Sequence, residues 1–67
     1  MKFQIIAHTP QGMVMSKPIE AEEEAFEEQK YTLLKRENLR FDTEEGFIFL
    51  PEGVFKQSVI EFKIIPE

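Results

Sequence analysis

The single histidine, His8, is the residue of this chain best suited to acid–base or metal chemistry near neutral pH. A catalytic triad or a zinc site needs partner residues, and the chain contains no cysteine and no second histidine. We therefore predict a structural role for His8. The alternative hypothesis is a small-ligand or metal-assisted enzyme in which His8 acts together with glutamates.

Glutamates clustered between positions 20 and 28 are the second group with possible chemistry. A calcium site needs oxygen ligands on a loop that wraps the ion, whereas a helix points successive carboxylates in different directions. Two interpretations remain, a solvated helix face or a surface that recognises a basic partner. Tyr31 is predicted to project from the same face, and tyrosine is common at the energetic centres of interfaces. The predicted partner-binding residues are Glu20, Glu24, Glu27, Glu28 and Tyr31.

Other catalytic motifs are missing from the sequence. The three glycines are isolated turn residues, so they cannot form a phosphate-binding loop. No serine or aspartate lies in a recognisable nucleophile motif. The sequence therefore predicts no catalytic residues, no cofactor and no metal site, and the protein is not expected to be an enzyme.

The glutamates must be positioned by a helix, which the sequence predicts from Glu20 to Asn38. Strong helix formers fill this stretch, without Gly or Pro. At about 100° per residue, one apolar face emerges. It consists of Phe26, Gln29 and Leu33, with Ala25 and Leu34 at its edges. Acids gather in the first half and bases in the second, which complements the helix dipole. The helix is expected to end near Asn38, a residue that tolerates the left-handed conformation found after many helix C-termini.

Alternating apolar residues predict five strands around this helix, at residues 2–9, 13–16, 39–43, 47–50 and 58–65. The spacing Thr-x-x-Gly occurs at 9–12 and again at 43–46. It predicts two hairpin turns in which Gly12 and Gly46 have positive φ. Pro18 cannot donate a hydrogen bond, so the second strand is expected at a sheet edge. Val54–Lys56 is predicted to form one helical turn or a loop that holds Phe55 in the core.

The order β-β-α-β-β-β predicts an α+β fold with a single domain over residues 1–67. We expect a small antiparallel sheet of four to five strands with one amphipathic helix packed on one face. The surplus apolar strand residues are Ile6, Val14, Ile48 or Phe49, Val59 and Ile65. If they point away from the helix, a homodimer or a partner should cover the helix-free sheet face. The alternative is a strongly curled sheet with the Phe55 loop folded across that face.

Charge and hydropathy limit the classes of partner that the protein is expected to bind. The net charge of −5 repels phosphates, so no nucleic acid is expected as a partner. No apolar run approaches the roughly 20 residues of a membrane span, so no membrane partner is expected either. The N-terminus shows no secretory leader, and the sequence predicts a soluble cytoplasmic protein.

The leading functional hypothesis is a non-enzymatic protein–protein interaction module, an inhibitor or accessory factor that acts by surface complementarity. In its small size, acidity and lack of cysteine, the chain is similar to accessory proteins of phages and mobile elements, and that resemblance implies a role of the same kind. A third hypothesis is a single-stranded nucleic-acid binder that uses aromatic residues on its strands, which the acidic charge opposes.

Overall fold

The computed structural model describes residues 1–66 and has the predicted α+β architecture. The elements are β1 (Lys2–Thr9), β2 (Gly12–Met15), β3 (Ile19–Glu20), α1 (Glu23–Leu34), β4 (Leu39–Thr43), β5 (Gly46–Leu50), α2 (Glu52–Phe55) and β6 (Val59–Ile65). All strand pairs are antiparallel. The strands divide into two sheets, one of four strands and one formed by the β4–β5 hairpin alone.

The four-stranded sheet is built around β1. This strand pairs with β2 and β3 along one edge and with β6 along the other. Alternation along β1 sends Phe3, Ile5 and Ala7 to one face, where all three are buried. We call this the covered face. The opposite face, called the open face, carries the other side chains of β1, namely Lys2, Gln4, Ile6 and His8.

Ser16 lies between β2 and β3 and bonds to Ile5 of β1, where neither strand pairs with β1. Its backbone N–H donates to the carbonyl of Ile5 at 2.8 Å. Its hydroxyl oxygen accepts from the Ile5 N–H at 2.9 Å, replacing the carbonyl of a regular strand. The side chain is only 2% exposed, and no buried side-chain polar atom within residues 1–66 lacks a partner. Pro18 lies just after this point, outside both strands, so its missing donor leaves the ladder intact.

The covered face is packed by a second layer that contains α1 and the β4–β5 hairpin. Phe26 of α1 lies 4.8 Å from Phe3 and 5.9 Å from Phe62, measured between ring centroids. Leu39 and Phe41 of β4 belong to the same buried cluster. The Lys17 N–H donates to the carbonyl of Asp42 at 3.0 Å, which ties the hairpin to the β2–β3 connection. The predicted burial of Phe26 is confirmed at 5% exposed, whereas Leu33 is only partly buried.

Both hairpins have two-residue loops, and the positive φ predicted for their glycines is confirmed. Gly12 has φ 136° and Gly46 has φ 159°, the latter close to ordinary extended backbone. The first loop is reinforced by Thr9, whose hydroxyl donates to the Gly12 carbonyl at 2.7 Å. The same hydroxyl oxygen accepts from the Gln11 N–H at 3.2 Å. A side chain at position 12 would therefore strain the backbone more than one at position 46.

The helix is shorter than predicted at both ends. It begins at Glu23 because the preceding residues extend the sheet. The Ala21 N–H donates to the Met1 carbonyl at 3.0 Å, and the Met1 amino group donates to the Ala21 carbonyl at 2.8 Å. The helix ends at Leu34, with the last turn tightened by a bond from the Lys35 N–H to the Thr32 carbonyl. Asn38 does not have positive φ, so the left-handed conformation that asparagine tolerates is not adopted here.

The surplus apolar strand residues divide between the two faces. Val14 lies opposite Ala7 and packs against the core, so it does not point away from the helix. Ile48 also packs against the core, whereas Phe49 points away from it and is 52% exposed. Val59 lies on the open face opposite His8 and is 68% exposed. The open face also carries Ile6 and Ile65, together with Met13 and Met15 of β2.

Phe55 closes the core from the covered side. It ends α2, the single helical turn that the sequence offered as one of two possibilities. Its ring is half-buried and packs against the buried cluster. Phe55 therefore does not fold across the open face, and no helix of residues 1–66 covers that face.

Candidate functional site

The exposed side of α1 brings together four of the five residues predicted to bind a partner. Phe26 turns towards the sheet, so the residues more than a quarter of a turn away on the outer side face solvent. They are Glu24, Glu27, Glu28 and Tyr31, all exposed. Tyr31 is 68% exposed, and Leu34, one turn of helix after it, is 83% exposed. We call these five residues the acidic helix face.

Charge on the acidic helix face is only partly compensated. Glu27 forms an ion pair with Lys30 at 3.0 Å, and both side chains are about half exposed. Lys30 also lies 5.0 Å from the centre of the Phe26 ring, so its position is shared between the two contacts. Within residues 1–66, Glu24 and Glu28 form no ion pair. The exposed Tyr31 therefore lies one turn of helix after Glu27 and Glu28, whose carboxylates a basic partner could neutralise. Leu34 instead lies one turn after Lys30 and lines a cleft with it.

Glu20 does not belong to this face, so its predicted place on the helix is wrong. It lies in β3 directly opposite Lys2 of β1. Directly opposite residues share a face of an antiparallel sheet, so Glu20 lies on the open face, across the sheet from α1. Strong helix propensity at positions 20–22 was overridden by hydrogen bonds to the N-terminal strand. A two-residue strand has no periodicity that sequence analysis could detect.

His8 is paired with one glutamate on the open face. Its Nε2 atom lies 3.0 Å from Oε1 of Glu61 in β6, with side chains 43% and 51% exposed. Residues 1–66 contain no group of three histidine, cysteine, aspartate or glutamate side chains arranged to hold a metal ion. The strand neighbours of His8 are Met13 and Val59, which offer no further polar group. The arrangement suits a solvent-exposed cross-strand contact.

Two clefts flank the second half of α1. The first, of about 650 Å³, separates the helix from β4 and from the β2–β3 connection. Its walls include Ile5, Leu39 and Phe41, with Lys17 and Arg36 among the polar residues. A volume of this size is typical of small-ligand sites. His8, however, lies on the other side of the sheet, so it cannot act on a molecule held in this cleft.

The second cleft, of about 530 Å³, lies between α1, α2 and β6. Leu34, Phe55 and Ile60 supply apolar walls, and Lys56 is among the cations that line it. The Lys56 ammonium donates to a carboxylate oxygen of Glu52 at 2.7 Å. This hydrogen bond and the attraction to Glu52 raise the pKa of Lys56 above its usual range, with a smaller contribution from Glu37. The ammonium therefore stays charged at physiological pH.

The outer face of the β4–β5 hairpin presents two aromatic side chains. Phe47 and Phe49 are 58% and 52% exposed. The Arg40 guanidinium lies 4.5 Å from the centre of the Phe47 ring. It also lies 3.9 Å from a carboxylate oxygen of Asp42, the cross-strand neighbour of Phe47. Sequence analysis mentioned strand aromatics only in general terms, although the alternation of Phe47 and Phe49 placed both on one side.

Neither α1 nor α2 is long and apolar enough to span a membrane. Comparison of the chain with family models, with curated proteins and with solved structures gives no match.

Proposed function

We propose that this protein is a non-enzymatic protein–protein interaction module that binds a basic partner protein through the acidic helix face. It would act in the cytoplasm as an inhibitor or accessory factor. The observation that carries the proposal is the highly exposed Tyr31, one turn after Glu27 and Glu28 on the outer side of α1, with the exposed Leu34 one turn further along.

The acidic helix face has the distribution of side chains that is typical of a protein–protein interface. Interfaces concentrate their binding energy in a few central side chains, often tyrosine, within a ring of weaker contacts that excludes water. Tyr31 and Leu34 would form the centre here, and the glutamates would form the rim. A rim charge contributes mainly to the association rate and to the choice of partner. The glutamates would therefore favour a basic partner and repel acidic proteins.

Salt dependence follows from the same charges. Attraction between the acidic helix face and a basic surface should raise the association rate at low ionic strength. The rate should then fall as salt is added, because the Debye length shrinks from about 10 Å at 0.1 M to about 3 Å at 1 M. The double variant Glu24→Lys/Glu28→Lys should associate more slowly and lose most of the salt dependence. Stopped-flow measurement with the partner captured from the native host checks both expectations.

A matched control separates the helix from overall charge. Glu44 and Glu45 form the exposed loop of the β4–β5 hairpin. The variant Glu44→Lys/Glu45→Lys changes the net charge by the same amount, far along the chain from the helix. If it slows association as much as the helix variant, net charge explains the rate and the proposed site is wrong. Replacing Tyr31 by Ala should instead increase the dissociation rate.

The hairpin supports a second candidate function, binding of single-stranded nucleic acid. Exposed strand aromatics beside an arginine can stack bases, and Phe47, Phe49 and Arg40 have this arrangement. Asp42 and the glutamates of the hairpin loop would repel the phosphates. Titration with a labelled single-stranded oligonucleotide at low salt tests it, and Phe47→Ala should abolish binding. Absence of binding at low salt would eliminate this candidate without affecting the first.

A further inference from the structure

β6 leaves one edge of the main sheet without a neighbouring strand. Its seven residues pair without interruption with β1, from Val59 opposite His8 to Ile65 opposite Lys2. No other strand of residues 1–66 pairs with β6. The strand contains no proline and no bulge, two of the devices that protect an edge from pairing with another chain, and its one lysine is Lys63. Its backbone is therefore available as a template for one more strand.

The sequence of β6 is complementary to itself. Residues 59–65 read Val-Ile-Glu-Phe-Lys-Ile-Ile, and each position mirrors another about the central Phe62. Aliphatic residues mirror aliphatic residues, and Glu61 mirrors Lys63. We propose that β6 pairs antiparallel with β6 of a second copy of this chain, with Phe62 on the two-fold axis. The interface would be a homodimer formed through the sheet edge rather than through the open face.

Every pair in this register is favourable. Glu61 lies opposite Lys63 of the second copy, and the contact occurs twice because of the symmetry. Val59 lies opposite Ile65, and Ile60 lies opposite Ile64, again twice each. Directly opposite side chains of opposite charge, or of matching apolar character, stabilise antiparallel strands. Alternation keeps the charged pairs on the open face and the Phe62 pair on the covered face.

Charge also disfavours the neighbouring registers. A two-fold axis perpendicular to the sheet requires residues that lie opposite each other to share a face. The residue on the axis can therefore change only to the next residue along the strand, which shifts each pairing partner by two residues. The next register in one direction centres on Glu61 and sets this residue against its own copy. The next register in the other direction centres on Lys63 and places this lysine opposite Lys63 of the second copy. Like charges directly opposite each other are destabilising, so the Phe62 register is the one of these three that is free of them.

Exposed apolar side chains border the same edge. Val59 is 68% exposed on the open face, and Ile64 is 58% exposed on the covered face. Leu34 lines the second cleft, which reaches Ile60 and Phe62 of β6. Pairing with a second copy would bring two such clefts together above the new strand pair. It would give these side chains apolar neighbours that the monomer does not supply.

The dimer would also change how the molecule presents its helix. Strands paired about an axis perpendicular to the sheet keep their faces on the same side. Both copies of α1 would then lie on one side of a continuous sheet twice as wide as that of the monomer. A partner with two basic surfaces could engage both helices, and such bivalence raises overall affinity without any new contact. The dimer itself does not depend on the function proposed above.

Charge exchange across the axis tests the register. Sedimentation velocity over a dilution series should show a reversible dimer for the natural chain. The variant Lys63→Glu should weaken the dimer about tenfold or more, because it replaces two attractive pairs by two repulsive ones. Glu61→Lys should do the same. The double variant Glu61→Lys/Lys63→Glu should restore the dimer, since the two charges then only exchange places.

An independent measurement and a control complete the test. Val59 and Ile65 lie about 20 Å apart within one strand, so a nuclear Overhauser contact between their methyl groups can only join two copies. Met13→Ser serves as the control on the open face, at the opposite side of β1 from β6, and should leave the dimer unchanged. A chain that stays monomeric at millimolar concentration overturns the proposal. So does a dimer that Met13→Ser disrupts and the charge variants leave intact, since such a dimer uses the open face.

Discussion

The two halves of α1 rest on the same sheet but are held very differently. In the first half, Phe26 is 5% exposed and lies within 6 Å of the rings of Phe3 and Phe62. In the second half, Leu33 is only partly buried and Leu34 is 83% exposed. Clefts of about 650 and 530 Å³ border the helix, and Leu33 in the second half lines both, whereas the first half lines only the larger one. The helix is anchored at its beginning and stands partly free of the sheet towards its end.

The difference separates stability from recognition along one helix. Burial of an aromatic side chain among other aromatic rings stabilises the fold through both area and ring geometry. Exposed apolar side chains contribute little to the fold but are available to a partner. Both surfaces proposed to bind, the acidic helix face and the cleft above β6, include residues of the second half. Substitutions of apolar residues should therefore reduce the free energy of unfolding less and less from the beginning of the helix towards its end.

Phe26→Ala should have the largest effect, a loss of about 3–5 kcal/mol in the free energy of unfolding. A chain of this size has a total stability of roughly 3–10 kcal/mol, at about 0.05–0.15 kcal/mol per residue. Much of the variant should therefore be unfolded without denaturant. Urea titration followed by circular dichroism measures the loss. If the midpoint stays near that of the natural chain, the aromatic cluster does not anchor the helix.

Sequence analysis recovered the anchored parts of the molecule well. The bounds of β1 and β4 were predicted to the residue, because β4 alternates between buried and less buried side chains and β1 does so except at the buried Ile6. The turn spacing around Gly12 and Gly46 also identified both hairpins. In these segments, local propensity and tertiary packing favour the same structure.

The parts missed by sequence analysis are those decided by contacts distant along the chain. β3 exists only because Lys2 and Phe3 pair with Glu20 and Ile19, so helix-forming glutamates at positions 20 and 22 gave a misleading signal. Sequence periodicity placed Leu34 at the edge of the apolar face, although it is among the most exposed apolar residues. Periodicity gives the direction of a side chain, but it does not show how far the opposing surface extends.

Leu33→Ala should have an intermediate effect, about 1–2 kcal/mol, below the roughly 2–5 kcal/mol typical of fully buried leucines. The side chain is already partly in contact with water, so its removal enlarges two open clefts instead of creating an enclosed cavity. Urea titration gives the loss, and amide hydrogen exchange locates it. Exchange should accelerate most in the second half of α1 while the β1 amides keep their relative protection. A loss as large as that of Phe26→Ala would mean that the two halves are equally anchored.

Leu34→Ala should have the smallest effect on folding, within about 0.5 kcal/mol of the natural chain's free energy of unfolding, because truncating an exposed leucine removes few contacts and alanine is an excellent helix former.

The free energy of unfolding of this variant is most informative when it is measured at two protein concentrations. In dilute solution, where the chain is monomeric, the variant and the natural chain should unfold together. At high concentration the natural chain should gain stability from dimerisation, since association favours the folded state by mass action. The variant should gain less, because Leu34 lines the cleft above β6 that the second copy would meet. An equal gain in stability for both chains would place Leu34 outside the dimer interface, so that it would belong only to the acidic helix face. A clear loss of stability in dilute solution would instead show that this leucine anchors the second half of α1, contrary to its exposure in the structure.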